Sequence, residues 1–371
     1  METKALEFKE DLQVVTDGQK QEFMSDVTAL ANSDGGDLLI GLRAEKGVAK
    51  ELLGLRNFVP DDRIGQLENL LRDFVQPRLM GLQVAAPKLD NGNHMLLIRI
   101  GRSFAAPHMV RHQGVTRFCG RNSNGKYDLD VQELRSAFMA SETMSDKLRN
   151  FRLDRINKLI SGSGPVQLSS PHMIVFHLLP IVSVRSDFRL GISDFHKIEG
   201  HNMPRPMRVQ GYSPTHNIDG FLVASSWRDA ALDSYVQVYR NGFIEAVESD
   251  LLKFSTSPKE TKIVVSDWEE LVLRVYPLYI GALQSLGITP PYVASISLLG
   301  VRGHKIQTDG RCFSLKNAAD RDNLLSDEII IEDPNAEAEK VLKPIFDQIW
   351  NGFGWARSMN YDEKGNRREG Y

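Results

Sequence analysis

The run Ala29-Leu30-Ala31-Asn32-Ser33-Asp34-Gly35-Gly36-Asp37-Leu38-Leu39-Ile40-Gly41 constrains the fold more than any other stretch of the chain. Upstream of it, Phe23, Val27 and Leu30 recur at i, i+4, i+7 with Met24 and Ala31 beside them, which is the spacing of a helix over residues 19–31. The polar run stops that helix, because Gly35 or Gly36 can take the left-handed conformation that closes a helix end. An unbroken apolar stretch, 38–42, follows at once and is expected to be a buried central strand. A helix turned tightly into a buried strand implies a layered α/β core, with residues 32–37 as its fixed turn.

Elements of both periods follow. Leu6 and Phe8 alternate with Glu7 and Lys9 as in a short strand with its charged face outward. Ile64, Leu67, Leu70, Leu71 and Phe74 predict a second helix that ends before Pro77. Residues 82–86 and 95–100 read as paired strands around an Asp90-Asn91-Gly92-Asn93 turn, and 109–111 with 115–119 as a hairpin around Gln113-Gly114. Asp130 and Glu133 have the spacing of a reciprocal helix cap, opening a helix towards Ser141.

At 371 residues the chain is too long for one ordinary core, so two domains are expected. An amphipathic segment over 144–160 and the cluster Ser161-Gly162-Ser163-Gly164-Pro165 mark residues 142–164 as a helical linker. The divisions are therefore 1–141, a linker over 142–164, a second domain of unassigned role over 165–356, and a frayed polar tail over 357–371. In the second domain, 173–184 reads as a long strand, 235–239 and 243–247 as a hairpin around Asn241-Gly242, and 294–299 and 329–331 as strands. Trp268 to Leu286 carries a helical apolar stripe, and 336–350 is a final helix bent at Pro344. The class is α+β: a mixed α/β N-terminal domain followed by a second α+β domain.

The formal net charge of −3 means that a nucleic-acid role would need a local patch. One exists: no acid occurs between Asp90 and Asp128, while Arg99, Arg102, Arg111, Arg117, Arg121 and Lys126 accumulate with His108 and His112. Such a surface could neutralise phosphates, or its arginines could pair with acids elsewhere in the fold. Cys119 and Cys312 are isolated, which supports neither a disulfide framework nor a thiolate zinc site. The chain opens directly into polar sequence and has no apolar run of membrane-spanning length, so a cytoplasmic protein without a membrane partner is expected. Gly120 to Lys126 follows the phosphate-loop spacing, but Tyr127 stands where the metal-binding Ser or Thr belongs, so no nucleotide cofactor is expected. His108 and His112, four apart in extended chain, cannot share a metal.

Glu2, Glu7 and Lys9 are the remaining polar constellation: two carboxylates able to share a divalent cation, with a lysine to meet a phosphate, or else a solvated strand face. Leu6-Glu7-Phe8-Lys9 with an acid five residues before Glu7, the Ala29 to Gly36 run, Leu38-Leu39-Ile40-Gly41, Pro77 and Ala106-Pro107-His108 together resemble the AlbA-like core of the Schlafen family. The resemblance covers roughly residues 1–141. It implies a nucleic-acid-binding domain that cuts transfer or other structured RNA with three acids and Mg or Mn, as an endoribonuclease suited to anti-phage defence. It puts Glu2 and Glu7 in the metal-holding, catalytic set, with Lys9 beside them. The family's third acid falls at Ala44 here, with Glu45 one residue on as its replacement and Asp37 as a weaker candidate. The expected metal set is thus Glu2, Glu7 and Glu45, and the phosphate-holding set is Lys9 with Arg99, Arg102, Arg111, Arg117, Arg121 and Lys126. RNA of transfer-RNA type, or DNA, is the expected partner. A regulator that binds nucleic acid without cutting it is the alternative, and a homo-oligomer assembled through the second domain is a further expectation.

Overall fold

The structure, a computed structural model, describes residues 2–79, 82–103, 105–184, 188–198, 200–208, 211–225, 231–253, 263–264, 267–306 and 318–368. Cys312 lies outside them. The chain divides into two compact units, Met1–Asp146 and Lys147–Tyr371.

The first unit comprises β1 (Leu6–Lys9), α1 (Asp17–Ala31), β2 (Gly35–Ile40), β3 (Leu42–Glu45), β4 (Val48–Leu52), α2 (Pro60–Phe74), β5 (Val75–Gln76), β6 (Gln83–Ala85), β7 (Leu96–Gly101), β8 (Met109–His112), β9 (Val115–Asn122) and β10 (Gly125–Asp128). Its main strands form two four-stranded sheets, in the orders β1-β2-β7-β6 and β10-β9-β8-β5. β1 lies parallel to β2, and the other pairs are antiparallel. α1 starts two residues earlier than its periodicity predicts, because Thr16 and Gln19 make a capping box. The apolar run after the glycines is broken at Gly41, so β2 and β3 are separate strands. The expected pairing of 82–86 with 95–100 appears as β6 on β7, and the Gln113-Gly114 hairpin as β8 on β9.

Helix α1 departs from the sequence expectation in an instructive way. Its spacing predicts one buried face, yet every residue from Phe23 to Ala31 is buried. The helix packs on β2 and β7 of one sheet and on β8 and β9 of the other, so neither side is left to solvent. Phe23, Met24, Val27, Leu30, Leu38, Ile98 and Val110 form the core around it. Ser25, Asp26 and Thr28 are carried inside with them.

The Asp130–Glu133 cap forms as expected, with Asp130 Oδ1 accepting the Glu133 N–H at 2.8 Å and Glu133 Oε2 accepting the Asp130 N–H at 3.0 Å. The helix it opens, α3 (Val131–Ile160), is a single element through the segment read as the start of a linker.

The second unit takes the C-terminal part of α3 and adds β11 (Met173–Pro180), α4 (Ile192–Phe195), β12 (Tyr212–Asn217), β13 (Gly220–Ser225), β14 (Ser234–Tyr239), β15 (Ile244–Glu248), β16 (Ile263–Val264), α5 (Trp268–Ser285), β17 (Tyr292–Leu299), β18 (Lys305–Ile306), β19 (Asn323–Leu325), β20 (Ile329–Ile331) and α6 (Ala338–Asn351). Its main sheet runs β12-β13-β14-β15-β11-β17-β19, with β20 also on β17. β11 ends at Pro180, and a 3-10 turn over Ile181–Val184 replaces the rest of the expected strand. All of β11 is buried, with period two: Ile174, Phe176 and Leu178 join the core with α5 and α6, while Met173 and Val175 join a second core with Ile156 and Leu159 of α3. The tail does not fray through its described part. Tyr361 is buried and donates its hydroxyl to Glu339 O at 2.9 Å, and Arg367 pairs with Glu270 at 2.9 Å. Among the described residues, no helix is long and apolar enough to cross a membrane.

Candidate functional site

The polar stop after α1 fixes the site's frame. Asn32 Nδ2 donates to His108 O and Cys119 O at 2.9 and 2.8 Å, while its Oδ1 accepts the His108 N–H at 2.6 Å. Ser33 Oγ accepts the Arg121 N–H at 2.8 Å. One turn thereby anchors β9 and the chain leading into β8. Gly36, at φ +154°, sits where a Cβ would come within 2.3 Å of Ala5 O, so only glycine lets β1 run this close to β2.

With β1 so placed, Glu7 and Lys9 face α1 and β9 rather than solvent. Lys9 Nζ lies 2.9 Å from Glu7 Oε1 and 3.1 Å from Asp26 Oδ2. Arg121 on β9 pairs with Glu7 Oε2. Lys126 on β10 reaches back to Asp26 Oδ1 at 2.8 Å and Glu22 Oε1 at 2.7 Å. Glu7, Asp26 and Arg121 are largely buried, with side chains 13%, 4% and 6% exposed. Glu2 completes the wall: its Oε1 accepts the Phe8 N–H at 3.0 Å, and its own N–H donates to Gly47 O at 2.5 Å. These groups line a cleft of about 380 Å³ together with Thr3 and the Ser123-Asn124-Gly125 turn.

Four acids and three bases face this cleft: Glu2, Glu7, Glu22 and Asp26 against Lys9, Arg121 and Lys126. Burial acts to lower the Lys9 pKa, but the neighbouring Asp26 and Glu7 charges outweigh it and hold the ammonium well above the ordinary lysine range. The hydrogen bond from Lys126 lowers Glu22.

The structure thus joins Glu2, Glu7, Lys9, Arg121 and Lys126 in one place. It does not bring Glu45 there. Glu45 pairs with Val48 in the exposed β3–β4 hairpin, is itself exposed, and is not part of the cleft wall; Arg43 beside it is tied to Glu10 and Glu51 at 2.9 and 3.0 Å. Asp37, the weaker candidate, is held bidentately by Arg99 at 2.8 and 3.1 Å. Among the described residues, no three Asp, Glu, His or Cys side chains are grouped to hold one metal ion.

The basic stretch is not one open stripe. Arg99 is held by Asp37, Arg102 lies 3.7 Å from Asp34, Arg117 binds Asp128 through two nitrogens at 3.0 Å, and Arg121 and Lys126 face the cleft acids. Only Arg111 of the six has no carboxylate partner among the described residues. The segment with phosphate-loop spacing is the β9–β10 hairpin, whose register pairs Lys126 with Arg121. His108 is buried between Pro77 O and Ser103 Oγ at 2.7 and 2.5 Å, and burial lowers its pKa.

Sequence reasoning missed Asp26 and Glu22. Their signal was present as two acids at i, i+4 inside the stretch that also carries Phe23, Val27 and Leu30. An acid flanked by core residues is costly to bury unless paired, so Asp26 implies a cationic partner supplied from elsewhere in the chain.

The first unit is a mixed α/β domain in which a helix between two sheets buries a paired charge cluster beside a polar cleft. Residues 2–130 match the family model described as Schlafen, AlbA_2, and this unit is a Schlafen AlbA_2-type domain. That family assignment points to a nucleic-acid-related function. No curated protein matches the chain significantly. Among solved structures, the DIP2311 protein from Corynebacterium diphtheriae is similar over 76% of this chain and 73% of its own at 11% identity, with a TM-score of 0.28.

Proposed function

We propose that the first unit binds structured RNA, of which transfer RNA is the type, and cleaves its phosphodiester backbone at the Glu2–Glu7 cleft. The observation that supports this reading is the charge count of the cleft. A surface that only gripped phosphates would gain from an excess of cations, whereas here the acids outnumber the bases by one within a nucleic-acid-handling family. An excess acid fits a divalent cation such as Mg or Mn. Magnesium commonly takes one or two protein carboxylates, with water and substrate phosphate completing its shell. Glu2 and Glu7 are hard oxygen donors on one cleft wall and fit that role. When bound, the ion supplies charge stabilisation at the phosphate and acidifies water.

The chain's own residues do the rest. Lys9, Arg121 and Lys126 hold one another's acids in the free protein and are placed to meet phosphate oxygens when substrate enters. Arg121 offers a planar fork and the lysines point charges, so Arg121 orients a phosphate while the lysines neutralise it. Asp26 keeps both ammoniums in position from inside the domain.

Incubating the purified chain with total tRNA and magnesium or manganese tests the reading. Discrete products that disappear with chelator and with Glu7→Ala are expected; undiminished cutting by Glu7→Ala overturns it. A cleaver of tRNA would suit defence against phage. A second reading, binding without cleavage, is favoured by Glu7, both of whose oxygens already face cations, and by the position of Glu45 outside the cleft. It requires salt-sensitive RNA binding and no products under the same conditions.

A further inference from the structure

We propose that the second unit binds a nucleoside monophosphate in a pocket formed by the C-terminal part of α3, the 3-10 turn after β11 and the β14–β15 turn. The pocket has a volume of about 510 Å³, within the roughly 300–1,000 Å³ of small-molecule sites. It is lined by three cations, Lys147, Arg189 and Arg240, against one acid, Asp219. Among the described residues neither Lys147 nor Arg189 has a carboxylate partner, whereas elsewhere in the unit Arg208 is paired with Asp250 at 2.6 Å and Arg302 with Asp322 at 3.1 Å. Arg240 donates Nε to Ile218 O at 3.0 Å, which leaves its two terminal nitrogens for an anion. This is the electrostatics of a phosphate site.

The other half of the pocket is aromatic. Phe151 stands edge-on to Phe243 and Tyr239, with ring centroids 4.6 and 5.4 Å away, and all three line the cavity. Tyr239 is fixed from behind. Its hydroxyl donates to Glu245 Oε1 at 3.1 Å, and the Arg155 guanidinium lies 5.2 Å from its ring centroid. Glu245 is wholly buried, gripped by Arg155 through two bonds of 2.9 Å and by the Tyr235 hydroxyl at 2.7 Å. A buried ion pair is a poor way to gain stability compared with apolar packing, so its use here is to hold the pocket wall rigid.

Two polar side chains also line the pocket. Ser183 Oγ is buried against the Asn241-Gly242 turn without a partner among the described residues. Asn241 commits its Oδ1 to the Phe243 N–H at 3.1 Å, and its amide N–H groups have no partner among the described residues. An aromatic wall, the Asn241 amide and cations without a carboxylate partner among the described residues match a base joined to a phosphate. The source is a free nucleotide or the phosphorylated end of an RNA strand, which share this chemistry.

Calorimetric titration of the full chain with AMP, GMP, CMP and UMP tests the assignment, with ribose 5-phosphate and inorganic phosphate as arms that lack the base. At least one nucleotide is expected to bind ten-fold or more tighter than ribose 5-phosphate. The exposed-residue variant Lys147→Ala/Arg189→Ala is expected to weaken it at least ten-fold with unchanged tryptophan melting. Oligoribonucleotides with and without a 5′-phosphate separate the sources: a phosphate-dependent gain that vanishes in the double variant supports the site with a strand end as its occupant. No binding of any nucleotide at millimolar concentration, equal affinity for ribose 5-phosphate, or full affinity in the double variant overturns the proposal. Glu7→Ala is expected to leave binding intact; loss there would place the ligand in the N-terminal cleft and overturn this site while sparing the RNA reading.

Discussion

Asp26, in the middle of α1, receives the Lys126 ammonium at 2.8 Å from a strand one hundred residues further along the chain. The same carboxylate receives Lys9 on its other oxygen, so one helical acid ties β1 of the first sheet to β10 of the second. All three of these side chains line the cleft between those strands.

Asp26→Asn keeps the shape and removes the charge that both ammoniums face. Lys9 and Lys126 are 35% and 15% exposed and can be partly re-solvated, so the expected cost is about 2 kcal/mol rather than the ~3–5 kcal/mol of a fully buried pair. All four tryptophans lie in the second unit, so hydrogen exchange must read the first. Faster exchange confined to residues 2–130, with RNA binding weakened, is the expected result; unchanged exchange would show that the pairing is idle.

Gly36→Ala places a methyl group 2.3 Å from Ala5 O, so β1 must leave β2. A loss of roughly 3 kcal/mol or more is expected for the first unit, together with any activity of the Glu2–Glu7 cleft. Gly65→Ala is the matched control. Gly65 lies within α2 with nothing within 4 Å of an added Cβ, and the change should stabilise by about 0.5–1 kcal/mol.

Two buried glutamates give the second unit opposite pH responses. Burial raises Glu248 to about 7, although it accepts the N–H groups of Asp250 and Leu251. The folded state therefore keeps a proton that the unfolded chain has lost, and this group makes stability fall as pH rises from about 4.5 to 7, by roughly 3 kcal/mol at most. Glu248→Gln should flatten the tryptophan-detected melting temperature across that window. Burial opposes ionisation of Glu245 as well, but His177 and Arg155 overcome it and hold the group near 2, so its contribution is present above about 4.5 and is lost as pH falls towards 2. Glu245→Gln should blunt the acid limb. A wild-type melting temperature that does not vary over either window would refute both assignments.

The end of the chain supports the second core. Ser358 Oγ donates to the buried Glu269 carboxylate at 2.7 Å beside Trp350 Nε1 at 2.6 Å, and Arg367 lies 3.5 Å from its other oxygen. Ending the chain at Arg357 removes two of these three partners along with buried Tyr361, and should cost about 3 kcal/mol or more. Tyr361→Phe should cost about 1 kcal/mol. An unchanged melting temperature after truncation would mean that the tail is only resting on the surface.

What the sequence shows about the fold is local. The period of Phe23, Val27 and Leu30, the Asn-Ser-Asp-Gly-Gly stop, the Asp130–Glu133 cap and the Asn241-Gly242 turn each report on neighbours within a few residues, and each element forms. The described part of the tail departs from its composition for the same reason: polar sequence gives no sign that Tyr361 and Arg367 meet partners on α6 and α5.

For the site, the Glu2, Glu7 and Lys9 spacing is legible along the chain, as is the family resemblance that the Schlafen, AlbA_2 match over residues 2–130 supports. Which charges meet follows from the packing of the elements. That packing enclosed α1 between two sheets, which turned Asp26 from a helix-surface acid into the buried partner of Lys9 and Lys126, and it left Glu45 on an exposed hairpin. It also paired most of the arginines that look free in the sequence. Ion pairing between distant residues depends on where strands are laid side by side, and a one-dimensional pattern of periods and caps does not carry that information.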